Sequence, residues 1–436
     1  MRYGRVLPGA ARAHSRSIFN VDRARWWHDV GGMTETGPID LASRAPAHTS
    51  RRFLWVAVSL HVIGAMAATM QRLASGSQIN NFLIFRGSFF HLLRGQDLYA
   101  FYPLEHFDQY KYSPTWALLF APFALPPIPV GLLLWNAVNA IALCAAIAAL
   151  LPARAAAFTL LIAFFEALGA IQNSQSNGLV AALMVWALVA AERERETVGA
   201  TAIAIGTSIK IFPVASGLFG LLGARPWRHV AACVVAGVAL LAVPLVVTPL
   251  ATLGAQHRAW GAIEATDQVT RGMMWLGGAI EAFVPGNVPH APIQLVGVLW
   301  LLATAWLARW RWEDGLVRRL LLASLLLFAT VFNHQAESPS YVIAFTGLGI
   351  WWSVLPRARW RDVVMLATLL LGSLAGTDLT SQAWRTTYHQ GWQLKAIVAS
   401  AAWIAMQYDV MRAVTGSRTL PDATASTATA TPSRAT

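Results

Sequence analysis

The sequence predicts an all-α, polytopic transmembrane helical bundle of about 10–12 spans, and three observations predict it. Of the 436 residues, 56% are hydrophobic and only 12% charged, where a soluble domain carries roughly 25% charged residues. Apolar runs on the scale of a bilayer crossing, roughly 20 residues, recur near 53–70, 116–150, 155–170, 177–191, 197–223, 229–248, 291–309, 316–332, 339–355, 361–376 and 393–411. The basic residues behind the net charge of +12 sit in short clusters beside those runs. That arrangement orients membrane helices and gives no reason to expect nucleic acid as a partner.

In chain order, residues 1–52 read as a basic, largely disordered cytoplasmic segment, rich in arginine from Arg2 to Arg52. No apolar core with a small-residue cleavage site precedes the first run, so no cleavable signal is expected, and Met33 offers an alternative start. The transmembrane domain occupies 53–412. Arg51 with Arg52, Arg154, Arg193 with Arg195, Arg225 with Arg228, Arg309 through Arg319, Arg357 through Arg361, and Arg412 mark cytoplasmic ends. Both ends of 197–223 are then cytoplasmic, although this run is too long for one crossing and short for two. Lys210 lies at its middle in "TSIKIFP", just before Pro213, so a broken hairpin with Lys210 near the tip resolves the count. Residues 413–436 are low in complexity and read as a disordered cytoplasmic tail. Both termini fall inside, in an inner (plasma) membrane protein.

The opposite, external face then receives 72–115, "IQNSQSN" at 171–177, the Lys210 tip, 249–290, "FNHQAESPSY" at 332–341 and 376–393. Nearly every unusual polar cluster lands on one side. In the first of these, "NNFLIFRGSFFHLLRG" has apolar residues at 82, 85, 89, 92 and 93 and ends at Gly95. It reads as an amphipathic helix in the interface plane, with Phe89, Phe90 and Leu93 toward lipid. Cys144 and Cys233 lie inside apolar runs as small core residues. The sequence has no Gly-rich phosphate loop, H-E-x-x-H motif, nucleophile elbow, acidic metal cluster or Asp-x-Asp signature. No metal and no cofactor are expected.

The order of the polar segments resembles glycosyltransferase family 87. The segments are "NNFLIF" opening the loop helix, the "GQDLY" turn, "YKYSPT", "LFAPFALPP", "IQNSQSNGLVAALMVWAL" and "AIGTSIKIFP", and the resemblance runs from about 53 to 412. It implies a GT-C-type membrane enzyme that takes its sugar from a polyprenyl phosphate. In much of that family an aspartate begins the loop helix and acts as general base. Here the position is Asn81, whose amide cannot take a proton from an acceptor hydroxyl. With "NHQAESP" as a subgroup feature, the base is expected to have moved.

Glu337 is the first choice for it, with His334 beside it as a phosphate or sugar partner and Asn81 as the displaced catalytic position. Glu337 reads equally as the cap of a helix over 340–355. Asp97, Glu105, Asp108 and Asp378 are rivals, though Asp97 also suits a turn and Asp378 a helix cap. Glu166, mid-span, reads as a structural hydrogen-bonding group. A departing phosphate needs a fixed cation. Lys210 is the candidate, its bland reading being a lysine that snorkels to an interface, and Arg86 supports it, with Lys111, Arg258 and Arg271 weaker. Asn173, Gln175 and Asn177 suit either sugar recognition or bonding between helices. Asn333 and Asp97 complete the substrate-binding set. Trp275, Trp384 and Trp392 read as interface anchors that could stack on sugar.

The expectation is therefore an inverting transfer of a hexose, with mannose a candidate, to a glycan or glycolipid acceptor at the periplasmic face. Membrane lipid is the remaining partner. Two other classes stay open: a catalytically silent lipid-glycan binder, which Asn81 encourages, and a secondary transporter, which the broken helix at Lys210 would also suit.

Overall fold

A computed structural model describes residues 47–76, 79–266, 273–284, 286 and 288–416, all of it helix, turn and loop. The segment before Ala47, Arg271 and the tail beyond Gly416 lie outside the described residues.

The main helices are α1 (Ala47–Ala74), α2 (Asn80–Leu93), α3 (Ile128–Leu150), α4 (Ala153–Gln172), α5 (Asn177–Glu192), α6 (Glu196–Ile209) and α7 (Pro226–Ala242). They continue with α8 (Leu250–Thr266), α9 (His290–Ala308), α10 (Gly315–Val331), α11 (Tyr341–Val354), α12 (Arg359–Ala367) and α13 (Leu394–Thr415). Among the described residues, five stretches are long and apolar enough to cross a membrane by themselves: His48–Ala74, Ile128–Leu150, Ala153–Gln172, Pro226–Val246 and His290–Arg311. The other apolar runs form shorter or interrupted helices. The chain is a polytopic all-α membrane protein.

Local chemistry sets several boundaries. Ser113 accepts from the Trp116 amide at 3.3 Å and Pro114 takes the first helical position of Pro114–Leu119, where a missing N–H costs nothing. The Asp314 carboxylate caps α10 through the Leu316 amide at 2.8 Å. α1 begins six residues ahead of the expected 53, because the basic Arg51 and Arg52 sit within its first turns.

The bundle core lies where α11 passes between α4 and α10. Side-chain volume is limiting there: a Cβ on Gly347 would stand 2.6 Å from the Ala323 carbonyl oxygen, and one on Gly349 would stand 2.9 Å from the Thr159 Cα. Small residues permit such approaches between membrane helices. The outer faces are apolar and exposed, as with Val234, Val235 and Val238 of α7 and Leu295, Val296, Leu299 and Leu302 of α9. Lipid is the solvent such faces fit.

The broken hairpin is present. α6 ends at Lys210, whose backbone is extended, and the chain turns back through a 3₁₀ segment, Phe212–Gly217, into the short helix Leu218–Leu221. Its two ends meet, because Arg225 pairs with Glu194 at 3.0 Å and with Glu196 at 3.7 Å. The same end of the bundle gathers Arg318 and Arg319 on Glu192, at 2.8 and 3.4 Å.

One local expectation changes in part. The apolar stripe of α2 is seated in the protein, since Phe82, Phe85, Phe89 and Leu92 are buried and Phe85 packs edge-on against Tyr112, Trp116 and Trp135, whereas Leu93 is exposed. Its apolar stripe found an aromatic core to bury against. Phe90 instead lies under the guanidinium of Arg86, 4.9 Å from the ring centre.

Candidate active site

Hydrogen bonds between distant segments assemble the polar clusters at the end of the bundle opposite the paired arginines. The turn at 173–176 is the hub. Ser174 there adopts a left-handed backbone, φ 52°, and its carbonyl accepts from the Trp135 indole at 2.8 Å. Asn81 donates its side-chain amide to the Asn173 carbonyl at 2.9 Å, which fastens the start of α2 to the hub. A carboxylate in place of Asn81 has no proton for that bond. Asn81 is a structural donor here.

From the hub a chain of amides reaches Glu337. Asn177 donates to the Gln175 side-chain oxygen, and Gln175 donates to the Glu337 carboxylate at 2.5 Å. Asn177 and Gln175 are buried, whereas Glu337 is exposed. Glu337 also caps the 3₁₀ turn Ser338–Ser340: its carboxylate accepts from the Ser340 amide while Ser340 Oγ accepts from its own N–H at 3.3 Å. The capping reading and the exposed-carboxylate reading hold together, since a carboxylate has lone pairs enough for both. Held from two sides, the group is pre-positioned yet open.

The Lys210 charge is within electrostatic reach of Glu337 and Glu264, but among the described residues no carboxylate is in ion-pair contact with it. The Ser113 amide donates to the Ser208 carbonyl at 3.2 Å, so "YKYSP" and the end of α6 are stitched together beside the site. Tyr112, half-buried, also lies within electrostatic reach of Glu337 and Glu264.

Behind the turn lies a buried ion pair. Lys395 of α13 donates to the Glu166 carboxylate at 2.9 Å and to Ser338 Oγ at 2.8 Å. Ser373 donates to the other Glu166 oxygen at 2.7 Å, and the Tyr341 ring centre is 5.2 Å from the ammonium. Lys395 and Glu166 are each only 4% exposed.

His334 lies in a separate group on the same loop. Its ring stacks on His290 at 4.5 Å, its Nδ1 is 3.0 Å from the Gln294 amide, and Trp275 stands edge-on at 6.4 Å. Trp275 is fully buried, so it is a packing residue rather than an interface anchor. Asn333 accepts from the Gln335 amide at 3.0 Å and shapes the loop. Asp97 accepts from the Tyr99 amide at 2.9 Å and shapes its turn. Glu105 pairs with His91 at 3.2 Å, and the fully exposed Asp378 pairs with Arg385 at 3.2 Å. Of the predicted residues, Asn81, Asn173, Gln175, Asn177, Lys210 and Glu337 converge. Arg86 keeps to Phe90, with its Nε buried and unbonded.

Sequence reasoning gave no role to Lys395, Ser338, Tyr112 or Glu264. A signal existed for Lys395. Glu166 in "IAFFEALGA" and Lys395 in "WQLKAIVAS" are lone opposite charges inside apolar runs, and an ionisable group at membrane depth requires a partner.

A helical membrane scaffold whose polar end collects a carboxylate, a lysine and a row of amides is the framework of a membrane glycosyltransferase. The profile of Glycosyltransferase family 87 matches residues 110–332, just over half of the chain, and the protein belongs to that family. The match includes Gln175, Asn177 and Lys210 and ends before Glu337. None of the curated proteins compared matches the chain.

Proposed function

We propose that the protein transfers a hexose, with mannose the first candidate, from a polyprenyl phosphate to a hydroxyl of a glycan or glycolipid at the periplasmic face. The lipid tail lies between helices. The acceptor oxygen attacks the anomeric carbon as the bond from that carbon to the phosphate oxygen breaks, inverting the configuration. Glu337 takes the acceptor's proton, and polyprenyl phosphate leaves with the bonding electrons, its charge met by Lys210. Asn173, Gln175 and Asn177 line the donor and sugar side. The supporting observation is a single one: an exposed, doubly anchored carboxylate lies within electrostatic reach of a lysine that, among the described residues, has no ion-pair partner.

The test is transfer by purified protein, with polyprenyl-phosphate mannose and glucose and a panel of glycolipid acceptors. Glu337→Gln should lose about 10²–10⁴-fold in kcat while still binding donor. Asn81→Asp should gain nothing, because it breaks the bond to Asn173. Unchanged turnover in Glu337→Gln removes it from the chemistry. A silent wild type made active by Asn81→Asp marks a lipid-glycan binder instead.

A further inference from the structure

We infer that Lys395 is a positioning residue for Glu337, acting through Ser338 and held in register by Glu166. This rests on the reading of Glu337 as the base.

An ammonium so buried must be paired, and Glu166 with Ser373 provides the pairing. That accounts for only part of its geometry. A lysine serving packing alone has no need of Ser338, yet Lys395 spends a second donor on Ser338 Oγ at 2.8 Å. Ser338 directly follows Glu337 and is the first residue of the turn that Glu337 caps. On its other side, Glu337 is tied to Gln175 and the 173–176 hub. The carboxylate is thus suspended between α5 through Gln175 and the α4–α13 ion pair through Ser338. Other ties hold the same loop, among them Met274 N to the Ala336 carbonyl at 2.7 Å, Tyr341 Oη to the Met274 carbonyl at 2.9 Å, Gln294 to the Phe332 carbonyl at 3.2 Å, and Ser340 to Glu337. None of these joins the Glu337 turn to α4 and α13; the lysine does. Catalytic groups are held by such supporting contacts, and small misplacements cost large factors in rate.

The experiment is a double-mutant cycle on transfer. Glu166→Gln combined with Lys395→Gln removes both charges together and leaves no buried ion unpaired. Its kcat should fall about tenfold with KM for donor and acceptor unchanged. In a Glu337→Gln background the same pair should have no further effect, because there is no base left to position. Ser338→Ala, which leaves the ion pair intact, should lower kcat in the same direction by about threefold without lowering the melting temperature, and covers the case in which the double variant does not fold. An additive loss in both backgrounds, a change confined to KM, or wild-type kcat in Ser338→Ala overturns the inference while Glu337 stands as base. Full transfer by Glu337→Gln itself overturns both readings.

Discussion

The two ends of the bundle use charge in opposite ways. At the arginine-rich end, cations find carboxylates: Arg318 and Arg319 share Glu192, Arg225 takes Glu194 and Glu196, Arg361 binds Asp409 at 2.8 Å, and Arg357 binds Asp362 at 3.1 Å. Indoles reinforce two of these, with Trp351 on Asp409 and Trp352 on Asp362, both at 2.9 Å. At the other end, Glu337 is held by an amide and a backbone N–H, and Lys210 has no carboxylate in contact among the described residues. Neutralised charge closes one end. At the other, Lys395 with Glu166, Glu105 with His91 and Asp378 with Arg385 are paired as well, and under the proposed function Glu337 and Lys210 are the charges that a substrate would complete.

Replacing the two lysine and arginine types at opposite ends tests this contrast most strongly. Lys210→Met should reduce transfer by about 10²–10³-fold, the loss typical of removing a group that stabilises developing charge. Arg225→Met, which breaks the partly exposed pairs to Glu194 and Glu196, should leave kcat within about twofold and cost under about 1 kcal/mol of stability. Measured in one detergent or nanodisc preparation, equal losses in the two variants would end the distinction between the ends.

Much of this division was legible in the sequence. The arginine clusters flank apolar runs, so orientation rules alone separate them from "IQNSQSN", the Lys210 segment and "FNHQAESPSY". The hairpin followed from parity and Pro213. The failures share one physical cause, which is that side-chain partners across the bundle leave no local trace. The stripe of α2 reads identically whether it buries against lipid or against Tyr112, Trp116 and Trp135. Asn81 reads as a lost base until its donation to Asn173 is seen. Lys395 draws no notice in the sequence until Glu166, 229 residues away, is found beside it.

Two buried ion pairs, one at each end, sharpen the comparison. Lys395 with Glu166 and Arg361 with Asp409 have similar burial, their side chains being 5% and 5%, and 12% and 4%, exposed. Lys395→Met and Arg361→Met each strand a buried carboxylate, which should cost about 3–5 kcal/mol in either case. Their effects on chemistry should differ. At a temperature where both variants remain folded, Arg361→Met should keep wild-type kcat and Lys395→Met should not. Similar kcat in both would mean that the polar-end pair supports the fold alone.

The smallest effect concerns pH and centres on one histidine of the polar end. His389, in the segment before α13, is buried, and that burial together with the Lys395 charge pushes it from an ordinary 6.5 down to about 4. A Cβ on Gly376 would stand 2.4 Å from its Nε2, so the ring packs directly on the Gly376 backbone. The fold requires neutral imidazole there, while the unfolded chain takes up a proton near 6.5. Stability from this group is therefore complete above about pH 6.5 and falls as the pH drops toward 4, by about 2 kcal/mol between pH 7 and pH 5. Amide exchange at pH 5 should quicken around 368–391 while the Glu192, Arg318 and Arg319 region, which has no such histidine in its pairs, keeps its protection. His389→Phe should abolish the local change. Acid sensitivity retained around 368–391 in His389→Phe would show that another group sets the local response to pH.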